Sequence, residues 1–108
     1  MTPKRYEIYY ADLSPTIGEE IQKTRPIVVV SKTTMNQSLD TVVVCPLTTK
    51  LHLRWRSRIQ IVCAGKDAEI AVDQIRTISK QRFRNKIDVL SPEDASRLRD
   101  LITEMYGH

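Results

Sequence analysis

Two short runs decide most of what this chain can fold into: Ile27 to Val30 (IVVV) and Val42 to Val44 (VVV). Each is a continuous series of β-branched residues, which favour strands because their branched side chains suit a pleated surface. Neither alternates apolar with polar. A strand without alternation has both faces covered, so both runs are expected at the centre of a sheet with packing above and below.

Further strands are expected at Tyr6–Ala11, Arg58–Val62, Glu69–Val72 and Ile75–Ser79. Asp12–Thr24 reads as a loop carrying Pro15 and Gly18. The TTMNQSLD stretch before Thr41 reads as a polar connection, and Gly65-Lys66-Asp67 as a turn. The tail departs from this pattern. Ser91-Pro92-Glu93-Asp94 is a helix start, Ala95, Leu98, Leu101, Ile102 and Met105 recur at helical spacing, and Gly107 can end the helix. The expected architecture is one domain spanning residues 1–108, a small, strongly twisted sheet or barrel closed by one C-terminal helix.

With 108 residues the chain suffices for a single core. Its net charge of +4 favours an anionic partner. No apolar run reaches the roughly 20 residues that cross a bilayer, and MTPKRYEIYY lacks a signal-peptide core, so a cytoplasmic location without a membrane partner is expected. Cys45 and Cys63 lie in apolar runs and read as small core residues. With no CxxC spacing and only two distant histidines, neither a metal site nor a cofactor is expected.

Residues 51–62, LHLRWRSRIQIV, alternate. If extended, Arg54, Arg56 and Arg58 share a face at intervals of about 7 Å, near the phosphate spacing of an extended single strand. Trp55 then points to the core or lies beside the groove. The competing reading is an edge strand whose charges prevent aggregation.

Four blocks carry a resemblance: YYADLSPTIGEE, KTRPIVVVS, VVVCPLTTK and DQIRTI. In this order and spacing they resemble the MazF/PemK/Kid family of toxin endoribonucleases, from about Tyr6 to the C-terminal helix. The resemblance implies a mainly β, small SH3-like barrel (the CcdB/MazF-like toxin fold) with short helices and a C-terminal α-helix. It also implies a homodimer, a single-stranded RNA substrate, mainly mRNA, and a cognate antitoxin with an acidic disordered tail. Cleavage is expected to be sequence-specific and metal-independent, with attack by the ribose 2′-oxygen leaving a 2′,3′-cyclic phosphate. The family's arginine falls on Arg25, its threonine on Thr48, an acidic loop residue on Glu20 and a glutamine on Gln74. Many relatives carry glycine where this chain has Tyr6, and Gly-Gly or Ala-Gly at Gln22-Lys23.

The chemistry fits the residues. Phosphodiester cleavage needs charge stabilised on phosphoryl oxygens, a suitable task for an arginine fork that stays charged at any working pH. Thr48 can hold a phosphate oxygen in line, and Glu20 is the better candidate base, since proton loss from arginine is costly. Expected substrate-binding residues are Lys23, Thr49, Lys50, Arg54, Trp55, Arg56, Gln74 and Arg76. Structural alternatives stay open: Arg25 paired with Glu20 or Asp12, Thr48-Thr49 as plain strand-end residues, and Asp73-Gln74-Ile75-Arg76 as a tight turn. So do two functional ones, a CcdB-like gyrase binder without enzymatic activity and an RNA-binding module without catalysis.

Overall fold

The computed structural model describes residues 1–14 and 24–107. Its elements are β1 (Glu7–Asp12), β2 (Thr24–Val29), α1 (Thr33–Ser38), β3 (Thr41–Thr48), β4 (Arg58–Cys63), β5 (Lys66–Ala71), β6 (Arg76–Ser79), β7 (Phe83–Val89) and α2 (Pro92–Tyr106), with 3₁₀ turns at Val72–Gln74 and Lys80–Arg82. The strands form one curled sheet in the order β4-β5-β3-β2-β1-β7, and β6 also pairs with β3.

The uninterrupted apolar runs are central, and they are split by parity between two cores. Ile27 and Val29 of β2 join Val42 and Val44 of β3 on one face, with Tyr9, Ala11, Leu13, Ile78 and Phe83. Val28 and Val30 join Cys45 and Leu47 on the other, where Ile59, Ile70, Ala95 and Leu98 complete the packing. Both cysteines are free and buried. Strand β3 changes partner midway: Thr41 to Val44 pair with β6, whereas Leu47 and Thr48 pair with β5. Pro46, without an amide hydrogen to give, lies between those two pairings.

Helix α2 forms as its sequence predicts. Ser91 Oγ accepts the Asp94 amide at 3.1 Å, Pro92 opens the first turn beside Glu93 and Asp94, and the Gly107 amide donates to the Thr103 carbonyl at 2.9 Å. Ala95 and Leu98 are buried, while Leu101, Ile102 and Met105 pack on the same core.

Four expectations fail locally. The strand expected from Arg58 forms as β4, but its extension back to Leu51 does not: residues 51–57 form turns. Leu53 and Trp55, on the supposedly inward parity, are 73% and 50% exposed, while Arg58 is buried. The reason is polar: a buried carboxylate, Glu69, takes the His52 amide at 2.6 Å and the Arg58 guanidinium at 2.7 Å, folding the segment back on itself. The hairpin turn is Ala64-Gly65, both at positive φ (50° and 81°), so β5 begins at Lys66. Strand β7 was not expected because FRNKIDV has few apolar residues; it is the charged edge of the sheet. Helix α1 replaces a plain connection. Its buried Asn36 donates to the carbonyls of Pro3 and Ser31 and accepts from Ser31 Oγ, contacts that no apolar periodicity announces.

Tyr6 holds a φ of 72°. Its amide donates to Val29 at 2.7 Å and its carbonyl accepts from Leu90 at 3.0 Å, so the left-handed conformation is fixed from both sides. Glycine takes that conformation without steric cost. Tyrosine instead brings a ring, which lies 4.8 Å from the Arg5 guanidinium.

Candidate active site

Antiparallel pairing sets Ile27 opposite Pro46 and Val28 opposite Cys45. Arg25 lies two residues before Ile27 on β2 and Thr48 two residues after Pro46 on β3, so both stand at the same end of this strand pair. Pro26 fixes the backbone between Arg25 and the buried strand, and β1 flanks it, with Ala11 opposite Arg25 and Tyr10 opposite Pro26.

These strand ends form one wall of a groove of about 390 Å³. Thr24, Arg25 and Pro26 of β2 line it together with Leu47, Thr48 and Thr49; Cys63, Ala64, Lys66, Asp67 and Ala68 of the β4–β5 hairpin line it too, with Tyr10 and Ile87. Arg25 and Thr48 are half-buried. Thr48 Oγ1 accepts the Lys50 amide at 3.2 Å, which orients the hydroxyl and leaves its hydrogen to donate. A guanidinium and a hydroxyl in one cleft are suited to gripping the oxygens of a phosphodiester.

A family model described as "PemK-like, MazF-like toxin of type II toxin-antitoxin system" matches residues 4–106. The chain belongs to this family. Among its relatives, the protein named Endoribonuclease EndoA of Bacillus subtilis is 34% identical over 98 residues, covering 86% of this chain and 84% of that one. Endoribonuclease MazF of Staphylococcus saprophyticus is 31% identical over a 109-position alignment, covering 96% and 91%. The fold also matches a crystal structure of MazF from Deinococcus radiodurans, with a TM-score of 0.83 at 18% identity, over 100% of this chain and 99% of that one. A mycobacterial endoribonuclease in complex with its cognate antitoxin matches at 0.81 and 19%, over 97% and 95%.

In this PemK/MazF-like chain the groove gathers Arg25, Thr48 and Thr49 from the sequence-predicted set. Glu20 and Lys23 lie outside the described residues. Lys50 is exposed just past the groove lining. Gln74, in the first 3₁₀ turn, and Arg76, opposite Val44 on β6, are not among the lining residues. Neither are Arg54, Trp55 and Arg56, which occupy the turns before β4. Arg56 is exposed and pairs with Glu104 of α2 at 3.1 Å.

Arg58, expected on a charged face, is instead a buried hub. It donates to Glu69 and, through Nε, to Asp73 at 2.7 Å each. Trp55 covers it with its ring centroid at 4.6 Å and stacks on His52 at 3.9 Å. Burial pushes the Glu69 carboxyl up, but donors from His52, Arg58 and Gln60 outweigh this and hold it below its ordinary value. Asp73 is lowered likewise: burial raises it, and Arg58 and Ser57 more than reverse the effect. The Asp73 of the D-Q-I-R block therefore serves the fold.

The site residues that sequence reasoning missed are Tyr10, Lys66 and Asp67. Lys66 reads as a turn residue until the true turn, one step earlier, turns it into the first residue of β5. Among the described residues, no three His, Cys, Asp or Glu side chains are placed to hold a metal ion.

Proposed function

We propose that this chain is the toxin of a type II toxin–antitoxin pair and acts as a sequence-specific, metal-independent endoribonuclease on single-stranded RNA, mainly mRNA. The observation that carries this reading is the convergence of Arg25 and Thr48 on one groove in a chain of the PemK/MazF family.

The ribose 2′-oxygen attacks the adjacent phosphorus and forms the cyclic phosphate; the 5′-oxygen leaves and takes up a proton. Arg25 neutralises the charge that grows on the phosphoryl oxygens, and its planar fork can contact two of them at once. Thr48 donates its hydroxyl hydrogen to a phosphate oxygen and keeps the linkage in line. Glu20, five residues before Arg25, is assigned the 2′ proton. Thr49, Lys50, Gln74 and Arg76, with Lys23 and the Arg54-Trp55-Arg56 turn, contact the RNA beyond the scissile linkage.

The chain works in the cytoplasm as a homodimer of single domains. Its antitoxin carries an acidic disordered tail that competes with RNA for the cationic groove. The protein named as an endoribonuclease bound to its cognate antitoxin, which shares this fold, supports such a partner.

Incubation of the purified protein with long RNA in EDTA tests the reading. Fragments ending in 2′,3′-cyclic phosphate and 5′-hydroxyl are expected. Intact RNA, or cleavage that needs added metal, would overturn it.

A further inference from the structure

A hydrogen bond joins the two ends of the curled sheet. Strand β4 is one edge and β7 the other. The Ala64 amide, in the turn of the β4–β5 hairpin, donates to Asp88 Oδ2 on β7 at 2.8 Å, while Asp88 Oδ1 accepts the Val89 amide at 2.8 Å. These two backbone donors, Ala64 first, hold the Asp88 carboxyl below its ordinary range.

This bond places the hairpin tip against the groove. The turn is tight because Ala64 and Gly65 both adopt positive φ, the geometry of a two-residue loop whose flanking residues pair directly. Those flanking residues are Cys63 and Lys66. Both line the groove that holds Arg25 and Thr48. The Lys66 side chain is exposed and, among the described residues, makes no hydrogen bond or ion pair. Its ammonium is a second cation in the groove, and it comes from the hairpin, away from the strand ends that bear Arg25 and Thr48.

We infer that Lys66 is a further substrate-binding residue that contacts a backbone phosphate of the RNA, and that Asp88 is the positioning residue that holds its hairpin in place. The inference rests on the ribonuclease reading above. A lysine ammonium is a compact charge with rotatable donors and reads no base, so its contribution is to affinity and not to the sequence cut.

The test is binding of a single-stranded oligonucleotide whose sugar at the cut site is 2′-deoxy and so lacks the attacking oxygen. Affinity is followed by fluorescence anisotropy from 50 to 200 mM KCl. A contact with one phosphate contributes about 0.7 to the slope of log affinity against log salt for single strands. Lys66→Gln is expected to lower that slope by about this amount, and Lys66→Arg to keep it. Asp88→Ala is expected to weaken binding, and to weaken it no further once Lys66 is already Gln, because a residue acting through another is not additive with it. In cleavage of the all-ribose oligonucleotide, Lys66→Gln should raise KM more than it lowers kcat. A wild-type slope retained by Lys66→Gln overturns the Lys66 assignment alone, and full additivity overturns the role of Asp88. A wild-type protein that binds no oligonucleotide overturns the ribonuclease reading and this inference with it.

Discussion

Arg58 and Glu69 meet at 2.7 Å with 4% and 0% of their side chains exposed. Glu69 also accepts the His52 amide and Gln60 Nε2, so one carboxylate ties the turns after β3 to the β4–β5 hairpin. Removing it leaves the guanidinium with Asp73 as its one carboxylate among the described residues, and takes the acceptor from the His52 amide and from Gln60 Nε2. Losing one partner of a buried pair costs about 3–5 kcal/mol. Glu69→Ala is expected to lower the urea midpoint accordingly. Emission of Trp55, the sole tryptophan, should shift as its stack on His52 and Arg58 loosens. An unchanged midpoint would show that the pair does not hold these turns.

The same carboxylates set the response to acid. Glu69, Asp73 and Asp88 have folded values below their ordinary 4.5, 3.8 and 3.8. A depressed folded value means that the unfolded chain binds protons more readily, so the stabilisation is complete above the ordinary value. It is lost as pH falls through the folded one. Urea midpoints should therefore be steady from pH 7 to about 5.5 and fall steeply below pH 4. Glu69→Gln should start from a lower midpoint and show a shallower fall.

The apolar part of this architecture was legible because continuous β-branched runs have only one arrangement that covers both their faces. The α2 helix was legible because its cap, proline and stripe are local signals. What the sequence hid was settled by polar groups at a distance. Alternation in LHLRWRSRIQIV implied a ladder of arginines; a glutamate on a neighbouring strand drew one of them inside and bent the rest into turns. The groove was half legible, since Arg25 and Thr48 stand in recognisable blocks on strands that pair. Lys66 was not, because its place depends on a carboxylate 22 residues later in β7 that anchors the hairpin.

The Ala64-Gly65 turn makes a separable prediction. Alanine at a φ of 50° carries the left-handed cost of an L-residue, about 1–2 kcal/mol, which glycine avoids at some loss of chain entropy. Ala64→Gly should raise stability by up to about 1 kcal/mol. Gly65→Ala should lower it by about 1–2 kcal/mol. A methyl at Gly65 meets nothing within 4 Å, so that cost is backbone strain without a clash. Paired urea titrations of the two variants measure both signs.

The roles given to Arg25 and Thr48 predict different patterns of rescue. Loss of a single oxyanion donor slows an enzyme by about 10²–10³-fold. Arg25→Ala should fall in that range on a fluorogenic oligoribonucleotide. Arg25→Lys should recover little, because an ammonium cannot span two phosphoryl oxygens as the planar fork does. Thr48 contributes through its hydroxyl, so Thr48→Val should be slow and Thr48→Ser should retain most activity. The loss should fall on kcat in both cases, since the charge being stabilised grows only as the transition state forms. Near-normal turnover by Arg25→Ala would remove arginine from the chemistry. Equal activity of the Val and Ser variants would make Thr48 a strand-end residue with no part in holding the phosphate.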